Sequence, residues 1–240
     1  MSTDPAINLA APIVPQIIAD LRQAIVEMRL KPGEAISEKE TALRYGVSRQ
    51  PVREAFIKLA EAGLLQVMPS RGTFVVKISV RDVLNARFVR EAVESALVRT
   101  AATLISTADL ERLDDVIARQ IEAAASADPA RFYALDEEFH RAIVECCECD
   151  PALRVIEGAR AQMDRVRYLS LPEATPIPVL VAQHRAIIEA LRARDPDAAE
   201  AAMRRHMREI LAALPRLTDR FPDMFESTEV PAHARLLEPR

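Results

Sequence analysis

Residues 41–76 read TALRYGVSRQPVREAFIKLAEAGLLQVMPSRGTFVV, and this stretch decides the predicted fold of the N-terminal part of the chain. It indicates a short helix that ends at Tyr45, a turn at Gly46 and a second helix that begins after Ser48. Glycine suits the turn because a residue without a Cβ adopts positive φ at no steric cost. Ser48 is a favoured N-cap, and Pro51 falls in the first helical turn, where its missing N–H is harmless.

The second helix of this stretch has an apolar face and a basic face. Val52, Phe56 and Leu59 form the stripe that packs against the rest of the domain. Arg49 and Arg53 are four residues apart, so their side chains leave the same face. Such a face suits phosphates and guanine edges, although it also fits an ordinary amphipathic helix with a solvated basic side.

Two short strands follow the basic helix and favour the first of these interpretations. Gly63 ends the helix, and residues 64–68 and 73–78 have the composition of strands. The turn between them, residues 69–72, carries one exposed cation, Arg71. Helix, turn, basic helix and hairpin together predict a winged helix-turn-helix, which places one helix in the DNA major groove.

The N-terminal part resembles the DNA-binding domain of the GntR family of transcription regulators. The segments LKPGEAISE, GVSRQPVREA and PSRGTFV carry the resemblance. It implies that the basic helix meets base edges or nearby phosphates, that the preceding helix meets the DNA backbone, and that the wing tip enters the minor groove. The residues to which the resemblance assigns DNA contacts are Lys39, Arg44, Ser48, Arg49, Gln50, Arg53, Arg71 and Gly72.

Charge is distributed unevenly along the chain of 240 residues, whose formal net charge is −4. Residues 1–78 carry ten Lys or Arg and eight Asp or Glu (+2), whereas residues 79–240 carry 22 and 28 (−6). The part expected to bind DNA is therefore the mildly basic one. No apolar run approaches the ~20 residues of a membrane span, and no basic segment precedes an N-terminal apolar stretch. We expect a cytoplasmic protein that does not bind membranes.

After residue 78 the apolar residues recur with helical periodicity, and three Asp-Pro pairs mark helix starts. The sequence predicts an all-α bundle of six helices, at 80–106, 109–126, 129–148, 151–170, 177–194 and 196–219. The chain is thus predicted to be mainly α. Its predicted parts are a flexible arm at 1–14, the winged helix-turn-helix at 15–78, the all-α domain at 79–221 and a C-terminal tail at 222–240.

Three of the four histidines lie in apolar stripes of the predicted bundle. Asp136 and His140 are four residues apart on one helix face, and His184 and His206 share faces with aliphatic residues. A buried imidazole needs a polar partner, so each histidine alone also fits a satisfied core residue. Together they match the ligand set of one divalent ion, and imidazole and carboxylate donors suit Zn²⁺, Ni²⁺ or Mn²⁺.

The helical part resembles the FCD effector domain of the FadR-type branch of the GntR family. In that pattern Asp-x-x-x-His lies on one helix and two further histidines lie on later helices. Asp136, His140, His184 and His206 occupy those positions. The resemblance implies a metal-dependent pocket for a small carboxylate, such as a sugar acid or hydroxy acid, rather than for a fatty acyl group. It also implies an effector contact for Arg90, with an intrahelical pair of Arg90 and Glu94 as the alternative.

Two further groups of side chains leave their roles open. Cations on the predicted helix 151–170 either line the same pocket or lie at the surface: Arg160, Arg165 and Arg167. Thiols crowd the end of the helix that carries Asp136 and His140: Cys146, Cys147 and Cys149. Clustered thiols indicate a redox sensor or second metal site in an electropositive setting, and otherwise small residues that pack at a helix end.

These patterns predict a transcription regulator, specifically a repressor, that binds pseudo-palindromic operator DNA as a homodimer. A small organic acid bound at a divalent metal site would control its affinity for DNA. The alternative is a metal-responsive regulator in which the ion itself is the signal. An open His/Asp metal site can also activate water for catalysis. No general base or nucleophile accompanies the four residues in motif form, so we expect no enzymatic activity.

Overall fold

The computed structural model describes residues 7–8, 10–170, 176–226 and 231. The chain divides into two compact units. Among the described residues, the first contains the segment up to Ser79 together with residues 222–226, and the second contains residues 80–221. Most of the predicted arm, and the tail beyond residue 226 apart from residue 231, lie outside the described residues. Within the described ranges, every helix is too short or too polar to cross a membrane.

The first unit is a winged helix-turn-helix, which confirms the predicted fold. Its strands form an antiparallel sheet of order β1-β3-β2, in which β2 and β3 are the two arms of the wing. The elements are α1 (Ile13–Val26), β1 (Ala35–Ile36), α2 (Glu38–Tyr45), α3 (Arg49–Glu61), β2 (Leu65–Met68) and β3 (Gly72–Val75).

A tight turn joins α2 to α3 and presents one face of α3 to solvent. Gly46 ends α2 in the left-handed conformation, at φ 65°. Ser48 is the N-cap residue of α3 as predicted, although its side chain makes no cap hydrogen bond. Val52, Phe56 and Leu59 are buried and α3 packs on α1, so the polar face of α3 points away from the core.

The prediction of a single strand at residues 73–78 is wrong, because two separate strands occupy this segment. Its first part belongs to β3, whereas Ile78–Ser79 form a separate strand, β4, that pairs in parallel with β5 (Phe225–Glu226). A 3-10 turn at Pro222–Met224 precedes β5. The prediction of a tail from residue 222 is therefore wrong for residues 222–226. Ile78 and Phe225 are both buried, and this distant pairing leaves no local signal in the sequence.

The second unit is an all-α bundle, as predicted, with six helices in the described part of the chain. Its core contains large apolar side chains from several helices, among them Leu113, Phe132, Phe139 and Ile187. The helices are α4 (Val80–Leu104), α5 (Thr107–Ala125), α6 (Pro129–Glu145), α7 (Asp150–Ser170), α8 (Ile177–Arg192) and α9 (Pro196–Arg220).

Two of the three Asp-Pro pairs start helices in the predicted way. Asp128 accepts a hydrogen bond from the Arg131 N–H at 2.9 Å, and Asp195 accepts from the N–H groups of Asp197 and Ala198. Asp150 is instead the first residue of α7.

Several helices end earlier than the periodicity predicts. Ala127, Glu148 and Arg194 follow α5, α6 and α8 in the left-handed conformation, with φ between 49° and 52°. A glycine is common at the left-handed residue that follows a helix. Because these three positions carry other residues, the sequence does not indicate where the helices end. The Arg194 guanidinium also donates to the carbonyls of Thr103 and Ile105 at 3.1 and 2.7 Å, which caps α4 near Leu104.

We predict opposite stability changes for alanine at two glycines. A Cβ at Gly46 meets nothing within 4 Å, so Gly46→Ala should cost about 1 kcal/mol through its positive φ alone. Gly158 lies exposed inside α7 with the same open space, so Gly158→Ala should add about 0.5–1 kcal/mol. Denaturant unfolding followed by circular dichroism measures both. Equal effects of the two substitutions would contradict the turn assignment.

Candidate functional site

The structure places the predicted DNA-contacting residues of α3 on its exposed face. Arg49 and Arg53 have side-chain exposures of 61% and 55%. Gln50 lies beside them and donates to Glu54 at 3.0 Å. Ser48 is exposed at the start of the helix. This face combines two cations and an amide, the side chains that read purine edges in the major groove.

The other predicted DNA-contacting residues lie on α2 and at the wing tip. Lys39 is exposed on α2, and the guanidinium of half-buried Arg44 lies 5.7 Å from the centre of the Tyr45 ring. Arg71 is exposed in the turn between β2 and β3, and Gly72, the first residue of β3, is exposed beside it. Gly72 adopts φ 110°, which glycine tolerates and other residues rarely adopt.

Sequence reasoning missed Glu38, which contacts both arginines of α3. Its carboxylate accepts from Arg49 Nη2 at 3.0 Å and from Arg53 Nε and Nη2 at 3.3 and 3.4 Å. An acid at the start of α2 is common for reasons of the helix dipole, so the sequence carries no sign of this second contact.

In the second unit, the four residues of the predicted metal set come together in the bundle interior. Asp136, His140, His184 and His206 are all buried, and their ligand atoms lie within 4.8 Å of one another. The Nε2 atom of His206 lies 3.1 Å from Nε2 of His140 and 3.3 Å from Nε2 of His184. Oδ1 of Asp136 lies 3.5 Å from Nε2 of His184. The structure thus brings together, from three helices, the four side chains that the sequence singled out.

The opposite nitrogen of each imidazole faces an oxygen acceptor. Nδ1 of His140 lies 2.5 Å from Oε2 of Glu94, Nδ1 of His184 lies 2.8 Å from Oε1 of Gln120, and Nδ1 of His206 lies 3.0 Å from Oε1 of Gln183. A carboxylate and two amide oxygens can only accept, so each neutral ring carries its proton on Nδ1. The Nε2 atoms of His184 and His206 therefore present lone pairs toward one another, and Nε2 of His140 faces the same point.

The three acceptors are themselves held in place. Glu94 accepts from Arg90 Nε at 2.6 Å, Gln120 donates through Nε2 to the Leu135 carbonyl at 3.2 Å, and Gln183 donates through Nε2 to Glu209 at 2.7 Å. The two amide orientations follow from these donations. Sequence reasoning missed both glutamines. The position of Gln183 directly before His184 was the available signal, and Gln120 had none.

This arrangement fits a divalent cation. The Nε2 atoms lie 3.1 and 3.3 Å apart, and two lone pairs at such a distance repel each other in a buried site. A cation between the nitrogens removes that repulsion. Ligands about 2.1 Å from a tetrahedral or octahedral ion are about 3.0–3.4 Å apart, which matches these distances. Acceptors behind each imidazole are also what metal-binding histidines normally have.

The charges around the cluster favour metal binding at neutral pH. Burial lowers the pKa of His184 to about 3 and also lowers the pKa of His206 well below its usual value, so both rings are neutral. Burial opposes ionisation of Asp136, but Arg167, which pairs with its carboxylate, holds the pKa of that group well below its usual range. The cluster therefore offers one anionic and two neutral ligands without prior loss of a proton.

A small cavity adjoins the cluster, and Arg90 lies on its wall. Arg90 is fully buried and pairs with Glu94 through Nε, yet its Nη1 and Nη2 atoms have no hydrogen-bond partner among the described residues. Both sequence interpretations of Arg90 are thus compatible. The described residues that line the cavity are Arg90, Met163, Arg167, Ser170, Leu180, His206, Met207, Glu209 and Ile210.

The remaining arginines and the thiols have different surroundings. Arg165 is fully buried but is not among the described residues of the cavity wall, and the side chain of Arg160 lies outside the described part. Cys146, Cys147 and Cys149 are half-buried free thiols. Burial raises the pKa of Cys146 to about 11 and also raises that of Cys147. Cys146 and Cys147 therefore form few thiolates at neutral pH, which favours the packing interpretation over a redox sensor for these two residues.

Comparison with known protein families identifies both units of the chain. The model for bacterial regulatory proteins of the GntR family matches residues 14–75, and the FCD domain model matches residues 86–209. The chain belongs to the GntR family and carries an FCD domain after its DNA-binding domain. It is a transcription regulator rather than an enzyme, as predicted.

Individual relatives cover nearly the whole chain. The HTH-type transcriptional repressor RspR of Escherichia coli K12 is 40% identical over 94% of this chain and 99% of its own length. The repressor NanR of Cronobacter sakazakii is 31% identical over 84% of this chain and 85% of its own. The structure of E. coli McbR/YncC, at 22% identity, superposes with a TM-score of 0.76 over 86% of this chain and 98% of that chain, which shows the shared fold.

We predict that Gln120→Met lowers the affinity for Zn²⁺ about 10–100-fold, because His184 loses the acceptor that orients its ring. Competition with a chromophoric chelator measures this affinity. The exposed Gln66, in the first unit, provides the control variant Gln66→Met, which should bind Zn²⁺ as the wild type does. Unchanged affinity of Gln120→Met would contradict a proton on Nδ1 of His184 that is held by Gln120.

Proposed function

We propose that this regulator is a repressor whose operator affinity is set by a small organic acid bound beside a divalent metal. Asp136, His140, His184 and His206 would hold the ion, and the ion would supply positive charge and open coordination positions to the acid. The names of RspR and NanR, both repressors, support repression. The metal identity among Zn²⁺, Ni²⁺ and Mn²⁺ stays open in this proposal, since histidine and carboxylate donors suit all three.

The buried guanidinium of Arg90 is the observation that supports an acid as the effector. Arg90 is fully buried, and two of its nitrogens lack hydrogen-bond partners among the described residues. These N–H groups are therefore available to donate to a ligand. A carboxylate in the adjoining cavity can accept from both nitrogens in the bidentate manner that arginine favours. Arg167 adds a second cation to the wall, and Ser170 and Glu209 add polar groups that suit hydroxyl substituents.

Arg90 also offers a route from the cavity to the DNA-binding unit along the chain. Helix α4 carries Arg90 and Glu94 and begins at Val80, directly after strand β4 of the first unit. Bound acid would stabilise one position of α4 relative to the other bundle helices, and the populations of the DNA-binding states would shift. Coupling of this kind is typically about 1–3 kcal/mol, or about 5–150-fold in affinity.

On DNA, we propose that the regulator acts as a homodimer. Each winged unit would place α3 in the major groove of one half of a pseudo-palindromic operator, because a two-fold protein reads a two-fold site. Arg49, Gln50 and Arg53 would meet base edges or adjacent phosphates. Lys39 and Arg44 would meet the backbone, and Arg71 with Gly72 would enter the minor groove.

A thermal-shift screen tests the effector proposal. Untagged protein is heated with sugar acids, hydroxy acids and dicarboxylates, each with and without chelator. A rise in melting temperature with one acid that disappears with chelator supports the joint site. A rise with metal alone and with no acid supports the alternative, a metal-responsive regulator, for which the four-residue cluster is the supporting observation.

We predict that Arg90→Lys and His184→Ala separate the two parts of the site. Arg90→Lys keeps the ion pair with Glu94 but loses the planar fork, so metal content should stay stoichiometric while the acid-dependent shift falls. His184→Ala should lose both the metal and the acid response. Metal analysis and the thermal-shift assay provide the readouts. Stoichiometric metal in His184→Ala would contradict the ligand assignment.

We predict different DNA phenotypes for Arg49 and Lys39. Arg49→Ala should cost about 1–3 kcal/mol of specific binding and relax base preference at one position. Lys39→Ala should weaken binding to all DNA sequences equally. It should also reduce the slope of log affinity against log salt concentration by about one. Fluorescence anisotropy on a duplex selected by the wild type from a random pool measures both. Full affinity of Arg49→Ala would contradict the assignment of α3 as the reading helix.

A further inference from the structure

A single carboxylate is shared by the two arginines on the exposed face of α3. Oε2 of Glu38 lies 3.0 Å from Nη2 of Arg49 and 3.4 Å from Nη2 of Arg53, and Oε1 lies 3.3 Å from Nε of Arg53. Glu38 belongs to α2, so the contact crosses from one helix of the motif to the other. The carboxylate is only 24% exposed, whereas both arginines are more than half exposed.

Glu38 remains charged whenever the domain is folded near neutral pH. Partial burial favours its protonated form, but the hydrogen bonds from Arg53 and Arg49 outweigh that effect and lower the pKa of the carboxyl. The face that would meet DNA therefore contains a permanent negative charge between two positive charges. A negative charge at this place opposes attraction to phosphate, whatever the DNA sequence.

The same contact restricts the orientation of both guanidinium groups. A free arginine side chain samples many rotamers, and ordering it on binding costs conformational entropy. The bonds to Glu38 engage Nη2 of Arg49 and both Nε and Nη2 of Arg53. Each Nη2 carries a second N–H, which together with Nη1 can still donate to two acceptors on a base. Bidentate reading of a guanine edge depends on a fixed guanidinium plane, which Glu38 supplies before DNA arrives.

We propose that Glu38 is a specificity-determining residue, which orients Arg49 and Arg53 for base reading and weakens the attraction of α3 to DNA of any sequence. This inference rests on the proposed role of α3 in reading DNA. A purely structural link between α2 and α3 is the competing role. Exposed ion pairs contribute little to stability, so the two roles differ in what a substitution changes.

Four proteins test the inference: the wild type, Glu38→Gln, Glu38→Asp and Glu40→Gln. Glu38→Gln removes the charge, and Glu38→Asp keeps the charge on a side chain too short to bridge both arginines. Glu40→Gln is the matched control, because it removes the same charge from an exposed position two residues further along α2. Each full-length protein is measured by anisotropy on a duplex that the wild type selects from a random pool and on its scrambled sequence, at several salt concentrations. Thermal unfolding verifies that each variant is folded.

We expect Glu38→Gln to bind the scrambled duplex more tightly than the wild type does. The slope of its log affinity against log salt concentration should be steeper by about one. The ratio of specific to scrambled affinity should fall about tenfold, which is the scale of one bidentate base contact. Glu38→Asp should show a similar fall in the ratio of specific to scrambled affinity. Its salt dependence should equal that of the wild type, because the charge is kept. Glu40→Gln should keep the ratio.

Other outcomes overturn the inference in distinguishable ways. A wild-type ratio in folded Glu38→Gln would show that Glu38 does not determine specificity. An equal loss in Glu40→Gln would show that net charge, not the contact with the arginines, is responsible. A wild type that enriches no sequence from the pool would instead contradict the proposed reading of DNA by this domain, and the inference with it.

Discussion

Three imidazole rings converge through their Nε2 atoms inside the helical unit, and this contact between three helices is the constraint on which the rest of the site depends. The rings come from α6, α8 and α9, and Asp136 adds a carboxylate from α6. Acceptors behind the rings force the protons to the outer nitrogens. A cation coordinated by these side chains would bind the three helices to one another, and its binding free energy would add to the stability of the folded unit.

Residues of α4 contact both the histidine cluster and the adjoining cavity. Glu94 faces His140 and pairs with Arg90, and Arg90 lies on the wall of the cavity. In the proposed function, a ligand in the cavity and an ion at the cluster would both act on α4 through these three residues. That helix continues directly from the last strand of the DNA-binding unit before residue 80. In the proposed function, an acid or a metal would act on DNA binding through this helix.

Local patterns in the sequence predicted most of the elements, and distant contacts account for the errors. The i, i+4 pair of Asp136 and His140 and the two later histidines were visible as buried polar residues in apolar stripes. Gln120 was not, because its role depends on the approach of α8 to α5 rather than on any spacing. Strand β5 was missed for the same reason, since Phe225 is a strand residue only through its pairing with Ile78. Helix ends were overestimated where Ala127 and Arg194 take positions usual for glycine.

The most direct test of the central proposal is the affinity for the selected duplex with and without acid, for metal-loaded and chelated protein. The account predicts that the acid found by thermal shift changes the affinity of the metal-loaded protein by about 5–150-fold and leaves that of the chelated protein unchanged. An equal change in the chelated protein would contradict a joint site. No change in either form would contradict control of DNA binding by an acid in this cavity.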